Sequence, residues 1–152
     1  MSAVILVLSG PNLDQLGRRD RAIYGTTTLE EHVARLAQAA RARGYELRHV
    51  ASNFEGDLID AVRDATDCAA LIVNAGALTH TSWALADALA TFSGPRVEVH
   101  LSNPAAREPY RHVTTLAGVV SGSIAGFGAL SYDLALEAVW RLLGDGPGAA
   151  GS

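Results

Sequence analysis

Tyr24, His100, Glu98 and a set of arginines are the side chains of this chain with proton chemistry to offer. Glu98 and His100 are two residues apart in an apolar run, so on a regular strand they share one face. A carboxylate beside an imidazole fixes its orientation and favours its protonated form. His100 would then be a proton donor near neutral pH. Tyr24 follows Arg18, Arg19 and Arg21 in a polar stretch. A tyrosine that abstracts protons must be ionised, and a phenol of reference pKa about 10 is roughly one part in a thousand phenolate at pH 7. A neighbouring cation favours the charged form. Arginine suits that task because it stays protonated.

What is missing narrows the chemistry further. All 12 basic residues are arginine, and lysine is absent. Imine catalysis by lysine, a pyridoxal phosphate linkage and a P-loop lysine are therefore excluded. The histidines His32, His49, His80, His100 and His112 form no close metal-binding pair, so no metal is expected. No Gly-x-Ser-x-Gly sequence joins a strand to a helix. The single cysteine, Cys68, cannot form an intrachain disulfide and reads as a structural thiol. Net charge is −4, which argues against a nucleic-acid partner. The longest apolar runs are strand-length, far short of the roughly 20 residues of a membrane span. With no secretory signal at the start, a cytoplasmic protein is expected.

Each polar residue also has a plainer role when taken alone. A strand-end asparagine such as Asn12 usually satisfies turn backbone. His80 could cap the helix after it. A lone His100 at a strand end is more often structural than catalytic. Tyr24 could be a packing residue, and the arginine cluster a solvated surface. Only their placement on a common scaffold lifts them above these roles.

That scaffold is legible in the hydrophobic pattern. Residues 3–9, 45–52, 69–73, 96–101 and 119–125 read as strands, the first as a continuous run suited to burial on both faces. Between them lie helices. Thr28 caps the first, with Glu31 three residues on, and Leu29, Val33, Leu36, Ala37 and Ala40 form its stripe before Gly44 ends it. Leu58, Ile59, Val62 and Ala65 mark a second helix, residues 81–91 a third and residues 130–143 the last. Residues 10–26 read as a long loop of the kind that forms lids, and residues 102–117 as polar chain with short helical turns. The alternation predicts a single flavodoxin-like, doubly wound α/β domain over residues 1–143, with a five-stranded parallel sheet, and a disordered tail at 144–152. Asn12, Asn74, His80, His100, Ser102, Arg107 and Arg111 all follow strands, so one rim of the sheet should gather them.

These residues sit in motifs. Ser9-Gly-Pro-Asn-Leu-Asp-Gln-Leu-Gly17 resembles the opening signature of the type II dehydroquinases, and Arg18-Arg-Asp-Arg-Ala-Ile-Tyr-Gly25 is similar to their active-site lid. Asn74-Ala-Gly-Ala-Leu-Thr-His-Thr-Ser82 resembles their second signature, and Glu98-Val-His-Leu-Ser-Asn103 with Ala106-Arg-Glu-Pro-Tyr-Arg111 their third. The match runs in order from about Val4 to Val139. It departs at Ser9, Asp14, Gln15, Arg21 and Phe54, where the family more often carries other residues.

The resemblance implies dehydration of 3-dehydroquinate to 3-dehydroshikimate, in the shikimate or quinate pathway, without a cofactor. It implies Tyr24 as base with Arg19 as its electrostatic partner, a second lid arginine assisting. Asn12 would help stabilise the enolate, and His100, oriented by Glu98, would be the acid. Asn74, His80, Leu101, Ser102 and Arg111 would bind substrate. Asp87 would reach the site of a neighbouring subunit, in a homo-oligomer that in this family is commonly a dodecamer. The missing lysine agrees, since the ketone cannot become an iminium and an enolate route remains. The alternative is a non-catalytic flavodoxin-like module for a nucleotide or flavin. It calls for a glycine-rich phosphate cradle after the first strand, where this chain has Pro11-Asn12-Leu13.

Overall fold

The structure, a computed structural model, describes residues 2–18 and 20–144. Five strands, β1 (Ala3–Ser9), β2 (Tyr45–Ala51), β3 (Cys68–Asn74), β4 (Arg96–His100) and β5 (Gly122–Ala125), form one sheet in the order β2-β1-β3-β4-β5. All four pairings are parallel. The helices are α1 (Arg21–Tyr24), α2 (Leu29–Ala42), α3 (Glu55–Asp64), α4 (Trp83–Ala90) and α5 (Leu130–Leu142). This is the flavodoxin-like doubly wound order expected from the alternation. None of the described helices is long and apolar enough to cross a membrane.

The apolar runs of β1 and β3 are buried on both faces, as a central parallel strand requires. Ile5, Val7, Ala70, Ile72, Val97 and Val99 face α2 and α5, against Leu36, Ala40, Leu136 and Val139. Leu6, Leu8, Leu71 and Val73 face α3 and α4, against Leu58, Val62, Leu85 and Leu89. Each such side chain contributes roughly 1.5–3 kcal/mol on burial. Exposed ion pairs such as Arg35–Asp133 and Arg48–Asp67 contribute about 0–1 kcal/mol each. The apolar tiers therefore hold the layers together.

Local signals explain most element ends. The Thr28 hydroxyl accepts from Glu31 N at 3.2 Å, starting α2 where expected. The third helix starts later than expected. Residues Gly76–His80 form a 3-10 turn, and Ser82, not His80, caps α4 by accepting from Leu85 N at 2.9 Å. The fifth strand is shorter than residues 119–125. Arg96 donates Nε–H to the Val119 carbonyl at 2.7 Å, and Arg96 and Ser121 bond reciprocally, so 119–121 wraps that side chain instead of extending the ladder. The lid segment holds a 3-10 turn at Leu13–Gln15 and the single turn of α1. The 102–117 stretch has 3-10 turns at Pro104–Ala106 and Pro109–His112, as expected. Of the expected disordered tail, all but Gly144 lies outside the described residues.

Strand order reverses between β1 and β3, and their exits run side by side. Gly10 N donates to the Asn74 carbonyl at 2.8 Å. A Cβ on Gly10 would lie 2.3 Å from the Ala75 carbonyl oxygen. One on Gly76, whose φ is +58°, would lie 2.9 Å from the Pro11 carbonyl oxygen. Only glycine allows the two backbones this separation. Gly10→Ala is expected to destabilise the fold by roughly 1–3 kcal/mol or more, as overpacking does, measured by urea unfolding.

Two histidines tie stability to pH. Burial holds His32 and His49 below the ordinary imidazole pKa, with Arg35 adding to the effect at His32, and Glu31 and Glu30 respectively opposing it. The unfolded chain therefore takes up protons below about pH 6.5 that the folded chain refuses. Stability should be flat above about pH 7.5 and fall as pH drops from 7 towards 5, visible as a declining melting temperature. His32→Leu should remove part of that decline.

Candidate functional site

Asn12 follows β1 in a left-handed conformation, φ 69°, which asparagine tolerates better than most residues. Its N–H donates to Asn53 Oδ1 at 2.9 Å, tying it to the exit of β2. Buried Leu13 and Leu16 then pin the start of the lid to the core. Arg21 Nε–H donates to the Gly17 carbonyl at 3.3 Å, folding the lid back on itself. Tyr24, the last residue of α1, is thereby brought over the rim.

From β3 comes Asn74, buried, its Oδ1 accepting Gly76 N–H at 3.2 Å. From β4 come Glu98 and His100 on one face, as alternation required. Glu98 is only 2% exposed, and a buried carboxylate is costly unless paired and hydrogen-bonded. Here His100 Nε2 lies 2.5 Å from its Oε2, while the Thr114 and Ser123 hydroxyls donate to Oε1 at 3.3 Å. The imidazole is thus oriented by an acid that is itself held from two sides. The β5 exit secures the strand beyond, with Gly126 N and Gly128 N donating to the His100 and Leu101 carbonyls.

One cleft is lined by Asn12, Gln15, Tyr24, Asn74, His100, Leu101, Ser102, Arg107 and Arg111. Arg107, expected at this rim but given no catalytic or binding role by the sequence, meets Tyr24 here. Its Nη1–H donates to Tyr24 Oη at 2.7 Å, and its guanidinium carbon stands 5.3 Å from the ring centroid. It also reaches Ser102 Oγ at 3.4 Å. The guanidinium on the phenol is thus supplied by the segment after β4. Of the lid arginines, Arg21 turns to backbone, and Arg19 lies outside the described residues. Its position after a strand end was the signal that could have ranked Arg107 with Arg111.

Three of the described residues expected at the site, Glu98 behind His100, His80 and Asp87, do not line this cleft. His80 donates Nδ1–H to the Val113 carbonyl at 2.6 Å and packs edge-on to Tyr110. Asp87 lies on α4 and faces a groove with Ile59, Val62, Arg63 and Phe92. The remaining arrangement places a phenol with a guanidinium on its oxygen, and an imidazole with a carboxylate on its ring, around one opening. Base and acid at one opening suit proton removal and return on a single small anion, with Arg111 at hand for its negative charge.

The chain resembles known proteins over nearly its whole length. The sequence profile described as "Dehydroquinase class II" matches residues 3–140. A protein of Hyphomonas neptunium named 3-dehydroquinate dehydratase is 53% identical over 95% of this chain and 98% of its own length. A relative of the same name from Exiguobacterium sp. is 51% identical over 90% of this chain and 96% of its own. Among solved structures, a type II dehydroquinase from Butyrivibrio crossotus superposes with a TM-score of 0.88 at 36% identity, covering 91% of this chain and 97% of that one. One from Propionibacterium acnes gives 0.86 at 42% identity, over 90% and 95%. Profile, relatives and superposed structures agree over nearly the whole chain, which belongs to the class II dehydroquinase family.

Proposed function

We propose that this chain is a hydro-lyase that dehydrates 3-dehydroquinate to 3-dehydroshikimate in the shikimate pathway, using no cofactor. The observation that carries the reading is the pairing around one cleft: Arg107 on the Tyr24 oxygen and Glu98 on the His100 ring. A guanidinium hydrogen-bonded to a phenol oxygen stabilises negative charge there. Tyr24 removes the proton next to the ketone. The enolate formed draws on hydrogen-bond donors at the rim, with Asn12 placed to hold the oxygen or a water on it. His100 then gives a proton to the departing hydroxyl. With Nε2 on Glu98, Nδ1 is the nitrogen that would deliver it.

Substrate would be gripped by the Asn74 amide, the Leu101 and Ser102 backbone and Arg111, the last pairing with the carboxylate. Arg19 would add positive charge at the lid. His80 and Asp87, set back from the cleft, would serve by fixing Val113 and by reaching an adjoining subunit. The working form would be a cytoplasmic homo-oligomer, a dodecamer, built of domains spanning residues 1–143, whether in biosynthesis or quinate breakdown.

The direct test is a spectrophotometric assay with 3-dehydroquinate, following the conjugated enone. Turnover should need no added metal and should survive borohydride treatment. Tyr24→Phe should lower kcat by about 10²–10⁴-fold while substrate still binds. Wild-type turnover in that variant would overturn the assignment of the base. His100→Ala should slow turnover by a similar factor. An unchanged kcat there would remove His100 from the mechanism.

A further inference from the structure

Asn12 meets two demands at once. Its backbone is left-handed, φ 69° and ψ 1°, and it lines the cleft. An asparagine in a turn ordinarily spends its side-chain oxygen on the N–H groups of that same turn. Asn12 does not, since its side chain makes no cap to the 3-10 turn Leu13–Gln15. The neighbouring loop serves the backbone instead, because Asn53 Oδ1 accepts the Asn12 N–H at 2.9 Å.

Asn53 is itself held on either side. Ser52 N donates to the Ser9 carbonyl at 3.0 Å, which carries the β1–β2 ladder one residue past the end of β2. The Ser52 hydroxyl accepts the Phe54 N–H at 3.0 Å and donates to Asp57 Oδ2 at 2.6 Å. Asp57 lies in the first turn of α3. The residues flanking Asn53 are thus anchored to β1 and to α3. Across the same loop, Gly10 N is bonded to the Asn74 carbonyl. In the order β2-β1-β3, the exit of β1 is therefore clamped to the exits of both neighbouring strands.

We propose that Asn53 is a positioning residue for Asn12, taking over the hydrogen bond of its backbone so that the Asn12 amide is left to meet the enolate oxygen or its water. The inference rests on the dehydratase reading, in which Asn12 has that task. A left-handed backbone is unfavourable for an L-residue and only modestly so for asparagine, so one well-placed hydrogen bond suffices to hold it. Without the Asn53 acceptor, the Asn12 N–H turns to water and the direction of its side chain is no longer fixed. Charge gathers on the enolate oxygen only as the proton leaves. A misdirected amide therefore costs transition-state stabilisation and leaves substrate binding alone.

The test compares steady-state kinetics of the full chain and its variants with 3-dehydroquinate. Asn53→Ala removes the acceptor and should lower kcat about three- to tenfold with KM unchanged, the effect of one hydrogen bond misplaced in the transition state. Asn53→Asp keeps an oxygen at the same reach and should stay within about twofold of the wild-type kcat. Asn12→Gly deletes the amide while leaving the left-handed backbone unstrained. In that background Asn53→Ala should change nothing further, since the side chain it positions is gone. A tie that served stability alone would show in urea unfolding and leave kcat untouched. An unchanged kcat in Asn53→Ala, a loss carried by KM, an Asn53→Asp variant as slow as Asn53→Ala, or additive losses with Asn12→Gly would each overturn the proposal. A wild-type chain that fails to turn over 3-dehydroquinate would instead sink the dehydratase reading, and is separately visible in the same assay.

Discussion

Gly10 and Gly76 allow the loops leaving β1 and β3 to touch backbone to backbone, and the cleft is built on that contact. The parallel order would bring the strand ends to one rim in any doubly wound sheet. It would not bring Asn12 and Asn74 to the wall of one small opening. That takes the Gly10 N–H on the Asn74 carbonyl, with no side chain between the loops. The same contact commits the backbone of Asn74, and the Gly76 N–H commits its side-chain oxygen. A steric constraint at two glycines thus becomes a statement about which polar atoms face a ligand.

Electrostatics adds the second requirement, which is met from the far side of the chain. Tyr24 and Arg107 are joined by a 2.7 Å hydrogen bond across 83 positions of sequence. The lid is held at its root by buried Leu13 and Leu16 and at its tip by this contact. Releasing the tip would expose the phenol and separate it from its cation together. Lid position and the Tyr24–Arg107 contact are therefore one variable.

The scaffold was readable because its signals are local. Thr28 with Glu31 started α2, and the unbroken apolar run of β1 announced burial on both faces. Alternation alone placed Glu98 beside His100. What escaped were facts that depend on contact between distant segments. Arg107 sits among other polar residues after β4, and nothing in its neighbourhood says that it will meet Tyr24. His80 also follows a strand, and it was expected among the substrate-binding residues. Its nitrogen goes instead to Val113, a carbonyl 33 residues away. His32 occupies a helical position between Leu29 and Leu36 that the apolar stripe passed over, yet it is 5% exposed and packs at a tilt against Tyr132.

That buried histidine belongs to a wider pattern in how the two faces of the sheet end. On the α3/α4 face, polarity is concentrated at Glu98, whose carboxylate draws in His100, Thr114 and Ser123. On the α2/α5 face it is spread over His49, Ser9, Asn74 and Tyr132, all neutral. The two faces thus reach the cleft differently: Asn74 comes to it from one, and His100, held by a buried carboxylate, from the edge of the other.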